Sequence, residues 1–563
     1  MRDAAQRLAL GSLLPLHVLL LMALGLSLAA PTARAGQSDM PRDWPAGIPT
    51  GPELEAAGAV IGEINVIAGD IFDPTIPSEN RWLYRTANKL HINTRPSIIR
   101  HQLLFKSGQP YVNRIIEETE RILRANDYLY DAVIRPVAWD GHKVDLEIRT
   151  RDTWTLNPGL NYSRQGGQSS GSIQLEEKNF LGTGQKLAIG YSNDVDRKSS
   201  NFDYFDPHFH STWTRFGVTY SDADDGSTKG LRVDRPFYAL DTHHAGGLYL
   251  YNTERNDPRY AYGHKIGEFQ RDQQYYEGYG GWSAGWSNEW VRRWTAGVTY
   301  DENKFAVSPD EPLGGPLPED RKLFYPWIAF DLLQDTYERR HNQDQIERTE
   351  DVLVGLQGGG RLGLSLESIG SDRDALVMSA YVHDGWNLRP GTSFFVGATA
   401  SGRVEQGNGL RDAVLSAEAR YYAQTSDRTK FFGEITGSVS ENLDEDLQLM
   451  LGGDTGLRGY PYRYQAGTAL ALLTLEERYY TSWYPFRLFH VAGAVFFDMG
   501  RTWGTDVTGA TSNGLLKDVG LGLRLGSSRS AFGNVIHIDL AFPLDGGPDI
   551  DSVQFVVETK ERF

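Results

Sequence analysis

The C-terminal segment of this chain, residues 552–563, alternates apolar and polar side chains with a two-residue period. One face carries Val553, Phe555, Val557, Thr559 and Phe563, and the other carries Gln554, Glu558, Lys560 and Arg562. Successive side chains of a β-strand point to opposite faces, so this segment suits the closing strand of a transmembrane β-barrel, with one face in lipid and one in the lumen. A soluble edge strand fits the same pattern, and the interpretation therefore depends on the rest of the chain.

Strand-like runs of this kind recur from Thr153 to the C-terminus, separated by loops rich in Gly, Asp, Asn and Ser. Examples are residues 184–191, 212–220, 294–300, 393–401 and 430–438. A tilted strand of about ten residues crosses the hydrocarbon core of a membrane. We count roughly sixteen to twenty such runs, and we expect residues 153–563 to form one large antiparallel transmembrane β-barrel of about sixteen strands.

The N-terminus has the features of a secretory signal peptide over residues 1–35. Arg2 and Arg7 precede a long apolar run, and the small residues Ala33 and Ala35 flank Arg34 at a cleavage-type site. An uncleaved membrane anchor is the alternative interpretation. Residues 36–58, rich in Pro, Gly and polar side chains, are interpreted as a flexible lead-in.

Residues 59–152 differ from the remainder because they combine helical and strand periods. The pattern predicts a strand over 60–67, helices over 98–104 and 112–125, and a hairpin of 131–139 with 143–149. The Asp140–Gly141 dipeptide between the last two segments suits a tight hairpin turn. This order predicts one small domain of mixed helix and strand.

Composition excludes some classes of protein. The formal net charge is −17, which argues against nucleic acid as a partner. The chain has no Cys, so disulfides contribute nothing to the fold. The 61 Gly and the 13 Trp, 28 Tyr and 24 Phe are typical of alternating strands with aromatic girdles.

Three segments near the C-terminus resemble the BamA/TamA superfamily of outer-membrane assembly and secretion barrels, the bacterial surface antigen family. They are 451–461 with its Leu-Arg-Gly-Tyr tetrad, 495–503 with Phe-x-Asp-x-Gly, and 519–526 followed by 537–543. Glu476 and Arg478 stand where the family carries a Glu-x-Arg strand. The 59–152 block resembles a POTRA domain, a periplasmic polypeptide-binding module, so the resemblance implies an α+β POTRA-like domain followed by the barrel.

The resemblance also implies roles for particular residues. The tetrad Leu457, Arg458, Gly459 and Tyr460 would fold back into the lumen. The barrel-wall partners would be Phe496, Asp498, Gly500, Glu476, Arg478 and Arg524, and the insertion signal would be Phe555, Val557 and Phe563. Alternation independently turns Asp498 toward the lumen, where Arg458 can form a charge-assisted pair with it. A solvated Arg458 in an extracellular loop is the alternative.

The family likeness implies a protein of the bacterial outer membrane, with its N-terminal domain in the periplasm, that assists insertion or translocation of polypeptides. A seam between the first strand, about 153–162, and the last would open sideways. The implied partners are outer-membrane lipid and lipopolysaccharide, unfolded polypeptide clients, and periplasmic or lipoprotein partners. The alternatives are a two-partner secretion transporter, a passive or substrate-specific pore, and a purely structural, adhesin-like surface barrel.

No catalytic, cofactor or metal site is expected. His208 and His210 share a strand face, and His243 and His244 are adjacent, but neither pair has a third ligand nearby in sequence. A barrel hydrolase whose Ser and His meet only in space is the alternative. We therefore expect a protein that is not an enzyme.

Overall fold

The computed structural model describes Met40 and residues 42–505, 509–512, 514–527, 529–531, 535–547 and 549–560. The predicted signal peptide, 1–35, and the terminal Phe563 lie outside these residues. Of the lead-in, only the part from Met40 onward is described.

The first part of the described chain is a small α+β domain. Its elements are α1 Gly51–Ala56, β1 Val60–Gly69, α2 Trp82–Leu90, α3 Pro96–His101, α4 Asn113–Arg124, β2 Leu129–Trp139 and β3 Lys143–Asp152. The three strands form a sheet in the order β1-β3-β2, in which β1 and β3 are parallel and β2 and β3 are antiparallel. Its core includes Leu54, Ile61, Ile99, Leu123, Leu129 and Ile148.

Two helices of this domain were not expected from the sequence. Helix α1 lies within the segment interpreted as a flexible lead-in, and its first turn is capped because Thr50 donates its backbone N–H to Glu53 at 2.8 Å. That Thr-x-x-Glu spacing, with Pro52 inside it, is a helix-start signal that the sequence contained. Helix α2 occupies a stretch for which no element was predicted.

The remainder of the chain forms a closed antiparallel barrel of twenty strands. The first ten are β4 Leu156–Gln165, β5 Gln168–Phe180, β6 Gln185–Asn193, β7 Lys198–Asp206, β8 Arg215–Ala223, β9 Gly226–Arg235, β10 His244–Ala261, β11 His264–Ser287, β12 Trp290–Val307 and β13 Arg321–Gln334. After the short pair β14 Tyr337–His341 and β15 Thr349–Leu353, five more follow: β16 Gln357–Ser365, β17 Ala375–Arg389, β18 Thr392–Glu405, β19 Gly409–Gln424 and β20 Thr429–Glu441. After the pair β21 Leu449–Leu451 and β22 Gln465–Gly467, the barrel ends with β23 Ala469–Tyr480, β24 Phe489–Trp503, β25 Leu516–Ser527, β26 Val535–Pro543 and β27 Gln554–Lys560.

The predicted fold class is therefore wrong. The barrel has twenty strands and not sixteen. The N-terminal residues form a small α+β domain, but this domain is not shown to be a POTRA domain. Sequence periodicity undercounts because strands such as β7 carry mostly polar side chains on both faces. In addition, turns as short as Gly166–Gly167 separate neighbouring strands, so the boundary between them is hard to see.

The seam between the first and last strands is the weakest junction of the barrel among the described residues. β27 and β4 share one ladder pair, Val557 with Arg164, whereas β26 and β27 share seven. One side-chain hydrogen bond, from Gln165 Nε2 to Glu558 Oε2 at 2.5 Å, adds to it. Nearby, Trp154 forms a parallel bridge with Ser530, on the connection between β25 and β26.

The strand faces alternate as the barrel requires. In β27, Phe555 and Thr559 are exposed on the outer face, whereas Gln554, Val556 and Glu558 are buried on the inner face. Large exposed apolar side chains recur around the wall, including Ile173, Leu248, Trp282, Ile328, Leu415 and Ile435. No helix within the described residues is long and apolar enough to cross a membrane.

The N-terminal domain contacts one end of the barrel, which we call the domain-side rim and define by turns 181–184 and 481–488 and residues 529–531. The Tyr84 hydroxyl donates to the Phe486 carbonyl at 2.9 Å. Arg529 forms an ion pair with Glu79 at 2.5 Å, and the Arg95 backbone N–H donates to the Gly182 carbonyl at 2.9 Å. These contacts hold the domain against this rim.

Candidate functional site in the lumen

The connection between β20 and β23 folds into the barrel and does not extend outward. Its central part, residues 452–464, is called the lumenal loop and lies between the short strands β21 and β22. Leu457, Tyr460 and Tyr464 of the loop are buried against Leu451 and Leu516. An apolar cluster thus anchors a loop whose other contacts are polar.

Arg458 is buried at the centre of this loop. Its guanidinium makes a bidentate pair with Asp498, with Nε–Oδ2 at 2.7 Å and Nη2–Oδ1 at 2.9 Å. It also reaches Glu476 at 3.1 Å and Asp539 at 3.3 Å. The guanidinium carbon lies 3.3 Å from the ring centre of Phe496, within the range of a cation–π contact.

The wall around Arg458 carries further charges that pair with one another. Glu476 accepts from Arg478 Nε at 3.0 Å and from Arg524 Nη2 at 3.1 Å. Arg524 also pairs with Asp539. All of these side chains are at most 5% exposed, so the network is shielded from solvent. Breaking one member leaves a buried charge without compensation, which is costly.

The carboxylates around Arg458 keep its guanidinium protonated. Burial alone would lower the pKa of this guanidinium, but the carboxylates of Asp498, Glu476 and Asp539 raise the pKa well above its ordinary value. Arg458 therefore stays protonated at every physiological pH. The loop is attached to the wall by a permanent charge.

The residues beside Arg458 complete the attachment. The backbone N–H of Gly459 donates to Asp518 Oδ2 at 3.0 Å. A Cβ at position 459 would lie 2.6 Å from the Cβ of Asp518, so this close approach needs glycine. The Tyr460 hydroxyl donates to the Lys517 carbonyl at 2.7 Å. Gly500 lies on the inner face of β24, where it leaves room for Leu451.

The structure brings together the sequence-selected tetrad and all six wall residues. Of the three residues chosen as a C-terminal insertion signal, Phe555 is exposed on the outer face and Val557 lies at the seam, while Phe563 is outside the described residues.

The lumenal loop also contacts the first hairpin, because the Tyr462 backbone N–H donates to the Gly166 carbonyl at 2.9 Å. Gly166 has a φ of 52° and no room for a side chain at this contact.

A second inward-folded element was missed in the sequence. Residues 335–356, here called the mouth hairpin, contain β14 and β15 and lie between β13 and β16. At its tip the Asn342 carbonyl accepts from Lys430 Nζ at 2.6 Å, and the Gln343 carbonyl accepts from Arg478 at 3.0 Å. Ile346 packs among Tyr480, Ala492, Ala494 and Val535 of the wall.

The mouth hairpin is bound to the N-terminal domain at its base, along β15 and at its turn. Arg124 of α4 makes a bidentate pair with Asp351, both distances being 2.7 Å. The Tyr130 hydroxyl donates to the Glu347 carbonyl at 3.1 Å, and Arg121 pairs with Asp335 at 3.2 Å. Because Arg478 contacts both Glu476 and the hairpin, polar contacts run unbroken from the lumenal loop to the N-terminal domain.

A polar cavity separates the two inward-folded elements. It has a volume of about 340 Å³ and is lined by both of them and by the wall, including Asp344, Tyr422, Thr455, Arg458 and Glu434. Charges of both signs line it. The lumenal loop thus lies on one side of this cavity and the mouth hairpin on the other.

Glu350 gives the mouth hairpin a dependence on pH. Its carboxylate accepts the backbone N–H groups of Gln343 and Asp344, both at 2.9 Å. Burial, together with the nearby Asp344 carboxylate, raises the pKa of Glu350 from an ordinary 4.5 to about 7. The folded hairpin therefore binds more protons than an unfolded one between these values. Its stability should fall as pH rises through this window and level off above it.

This prediction is checked by hydrogen exchange of the hairpin amides at several pH values, corrected for the intrinsic exchange rate. Glu350→Gln should remove the pH dependence, since the carboxyl group is gone. Asp344→Asn should shift the dependence to lower pH because one of the two causes of the raised pKa is lost. A slope that survives Glu350→Gln would assign it to another group.

The ligand atoms of His537, Asp539 and Glu558 all lie within 4.8 Å of one another. Arg458 and Arg524 already bind Asp539, and Lys560 binds Glu558 at 2.6 Å. These cations compensate the carboxylates that a metal ion would need, so the cluster is explained by its own ion pairs.

Two segments, 167–171 and 281–285, have the Gly-x-Ser-x-Gly spacing of hydrolases. Ser169 and Ser283 lie in the barrel hairpins and not on a strand-to-helix turn. Ser283 Oγ donates to the Arg292 carbonyl at 2.8 Å. Neither serine has the geometry of an exposed nucleophile elbow.

The order of these elements in the last third of the chain matches a known family. A sequence profile described as the Omp85 superfamily domain matches residues 375–560, which include β17 to β27, the lumenal loop and the Arg458 network. Residues 375–560 belong to the Omp85 superfamily. Members of this superfamily are non-enzymatic transporters and assembly factors, and a large closed barrel of the family lies in the bacterial outer membrane. None of the curated protein sequences matches this chain.

Solved structures similar to the chain include a BamA and a CdiB. BamA from Haemophilus ducreyi lacking POTRA domains 1-3 has 13% identity and a TM-score of 0.38, covering 89% of this chain and 84% of that one. CdiB from Escherichia coli has 13% identity and a TM-score of 0.46, covering 89% and 76%. At such low identities and TM-scores, neither structure supports a conclusion about this protein. The Omp85 assignment rests on the profile match to residues 375–560.

Proposed function

We propose that this Omp85 barrel assists the insertion or translocation of polypeptides at the bacterial outer membrane, with its N-terminal domain in the periplasm. The observation that carries the proposal is the seam. One ladder pair joins β27 to β4 among the described residues, whereas every other pair of neighbouring barrel strands shares at least seven. Exposed strand edges are templates for pairing with another chain.

Two inward-folded elements favour this direction over a passive pore. The lumenal loop and the mouth hairpin both contact the inner wall, and a cavity of about 340 Å³ lies between them. A polypeptide that pairs at the seam does not need the lumen to be empty. Unfolded clients, outer-membrane lipid with lipopolysaccharide, and periplasmic or lipoprotein partners are the partners that such a role implies.

A two-partner secretion transporter remains the competing function, because it would pass its client through the lumen. Both inward-folded elements would then have to move. Because Arg478 contacts the mouth hairpin and the Glu476 that also binds Arg458, a single displacement could disturb both elements. The two functions therefore differ in where the client touches the barrel.

Photo-crosslinking in intact cells tests the proposal. A crosslinking amino acid at Tyr162, exposed on β4 beside the seam, should capture exported polypeptide. The control is Leu415, equally exposed on β19 in the opposite half of the barrel, where no capture is expected. Capture at Thr474, which lines the lumen cavity, would instead favour secretion through the lumen. Equal capture at Tyr162 and Leu415 would contradict the seam proposal.

A further inference from the structure

Helix α2 presents an exposed apolar face. Trp82 is 71% exposed, Leu90 is 70% exposed and Leu83 is 50% exposed. At 100° per residue these three side chains fall on one side of the helix, whereas the buried Tyr84 lies on another. Large apolar side chains left exposed together mark a surface that contacts a partner.

The segment around α2 is basic in an acidic protein. Residues 81–100 contain Arg81, Arg85, Lys89, Arg95 and Arg100 but no Asp or Glu, although the chain as a whole has a net charge of −17. On the helix, Arg85 and Lys89 lie beside the apolar face. An apolar face with Trp and Leu next to Lys and Arg is typical of helices that lie in the interface of an anionic membrane.

The position of α2 is fixed by the domain-side rim. The buried face is held by Asn88, which donates to the Phe72 carbonyl at 2.7 Å, and by Tyr84, which reaches the turn between β23 and β24. The other end of the segment meets the turn between β5 and β6, where Arg95 contacts Leu181 and Gly182. The segment therefore follows the rim from β23–β24 to β5–β6, the turns on either side of the seam.

The barrel presents apolar side chains at both of these contacts. Trp483 is 64% exposed and Phe486 is 75% exposed in the turn that Tyr84 touches, and Leu181 is exposed in the other turn. Aromatic residues at the ends of barrel strands mark the level of the membrane interface. The helix that carries this apolar face is thus held, through Tyr84 on its other side, at a rim whose turns also expose apolar side chains.

We infer that α2 is a lipid-contacting helix that lies on the periplasmic leaflet beneath the seam. Trp82, Leu83 and Leu90 enter the boundary between headgroups and acyl chains, and Lys89 and the arginines bind anionic phospholipid headgroups. Each basic residue near an anionic surface adds electrostatic attraction to the membrane. The apolar face supplies the remaining attraction, because burying it removes apolar surface from water.

The chain has no native Cys, so single cysteines report one position each. The mature protein is reconstituted in vesicles of phosphatidylethanolamine with phosphatidylglycerol, and spin labels are placed at Leu90→Cys and, separately, at Trp82→Cys. The matched control is Val137→Cys, an exposed apolar position on β2 of the same domain. Collisions with lipid-soluble oxygen are compared with collisions with a water-soluble nickel chelate.

The labels at 82 and 90 should be several-fold less accessible to the chelate, and more accessible to oxygen, than the label at 137. Omitting phosphatidylglycerol, or adding Arg81→Gln with Lys89→Gln, should reduce this protection. Equal chelate accessibility at positions 90 and 137 in anionic vesicles would overturn the inference. Protection of position 90 only after unfolded polypeptide is added would also overturn it, because the face would then bind protein. Heat-modifiable migration on gels confirms that each variant is folded.

Discussion

Arg458→Ala should release the lumenal loop and greatly reduce client delivery, while the protein still reaches the outer membrane. The substitution removes the bidentate pair with Asp498 and leaves Glu476 and Asp539 with one cation fewer. Breaking a buried ion pair by deleting one partner costs about 3–5 kcal/mol. The twenty-strand ladder does not depend on this side chain, so insertion itself should be retained.

The measurements are protease sensitivity of residues 452–464 in the purified barrel and client delivery in cells. Arg458→Lys keeps the charge but cannot pair in two places with Asp498, so it should fall between the alanine variant and the wild type. Arg215→Ala is the matched control: it removes another arginine that pairs with an aspartate, Asp234, but on the wall strands β8 and β9. An Arg458→Ala protein with a protected loop and normal delivery would show that the pair is not needed.

A disulfide across the seam should block client delivery almost completely and reversibly. Arg164 and Val557 are ladder partners, and paired strand residues lie about 5 Å apart, within the range that a disulfide spans. With no native Cys in the chain, Arg164→Cys with Val557→Cys can form no other intramolecular bridge. If the seam must open for a client to pair with it, the bridge prevents that step, and a reductant restores it.

The control bridge joins strands that have no reason to separate. Leu521 and Leu540 are ladder partners on β25 and β26, near the seam, and both side chains are exposed on the outer face. Leu521→Cys with Leu540→Cys should therefore leave delivery unchanged. Normal delivery with the Arg164–Val557 bridge fully formed would contradict a function that requires the seam to open.

The sequence was most informative where a local pattern and a family motif agreed. Alternation along 495–503 turns Asp498 and Gly500 inward, and the Leu-Arg-Gly-Tyr motif selected Arg458 as the partner. The structure adds that Asp518 and Asp539 also contact this loop. Those two carboxylates lie on β25 and β26. The sequence alone could not place them beside the loop, because that requires knowing the order in which the strands pair.

Other elements could not be predicted because long-range contacts stabilise them. The strands of the mouth hairpin are five residues each and rich in charge, so they have no apolar period. The hairpin depends on Arg124 and Arg478, which lie more than 100 residues away in each direction. Helix α2 has only nine residues, and its exposed apolar face replaces the usual buried stripe.

The position of the mouth hairpin has a mechanical consequence. Its two ends leave the wall between β13 and β16, with ten barrel strands on either side before the seam is reached, so its base is diametrically opposite the seam. Its tip rests on β20, β23 and β24. Barrel diameter grows with strand number, so distant parts of a twenty-strand wall are joined only around the circumference unless a segment crosses the lumen. The mouth hairpin crosses the lumen from the wall opposite the seam to the wall formed by β20, β23 and β24. It therefore limits how far these two parts of the wall can move toward each other while its contacts last.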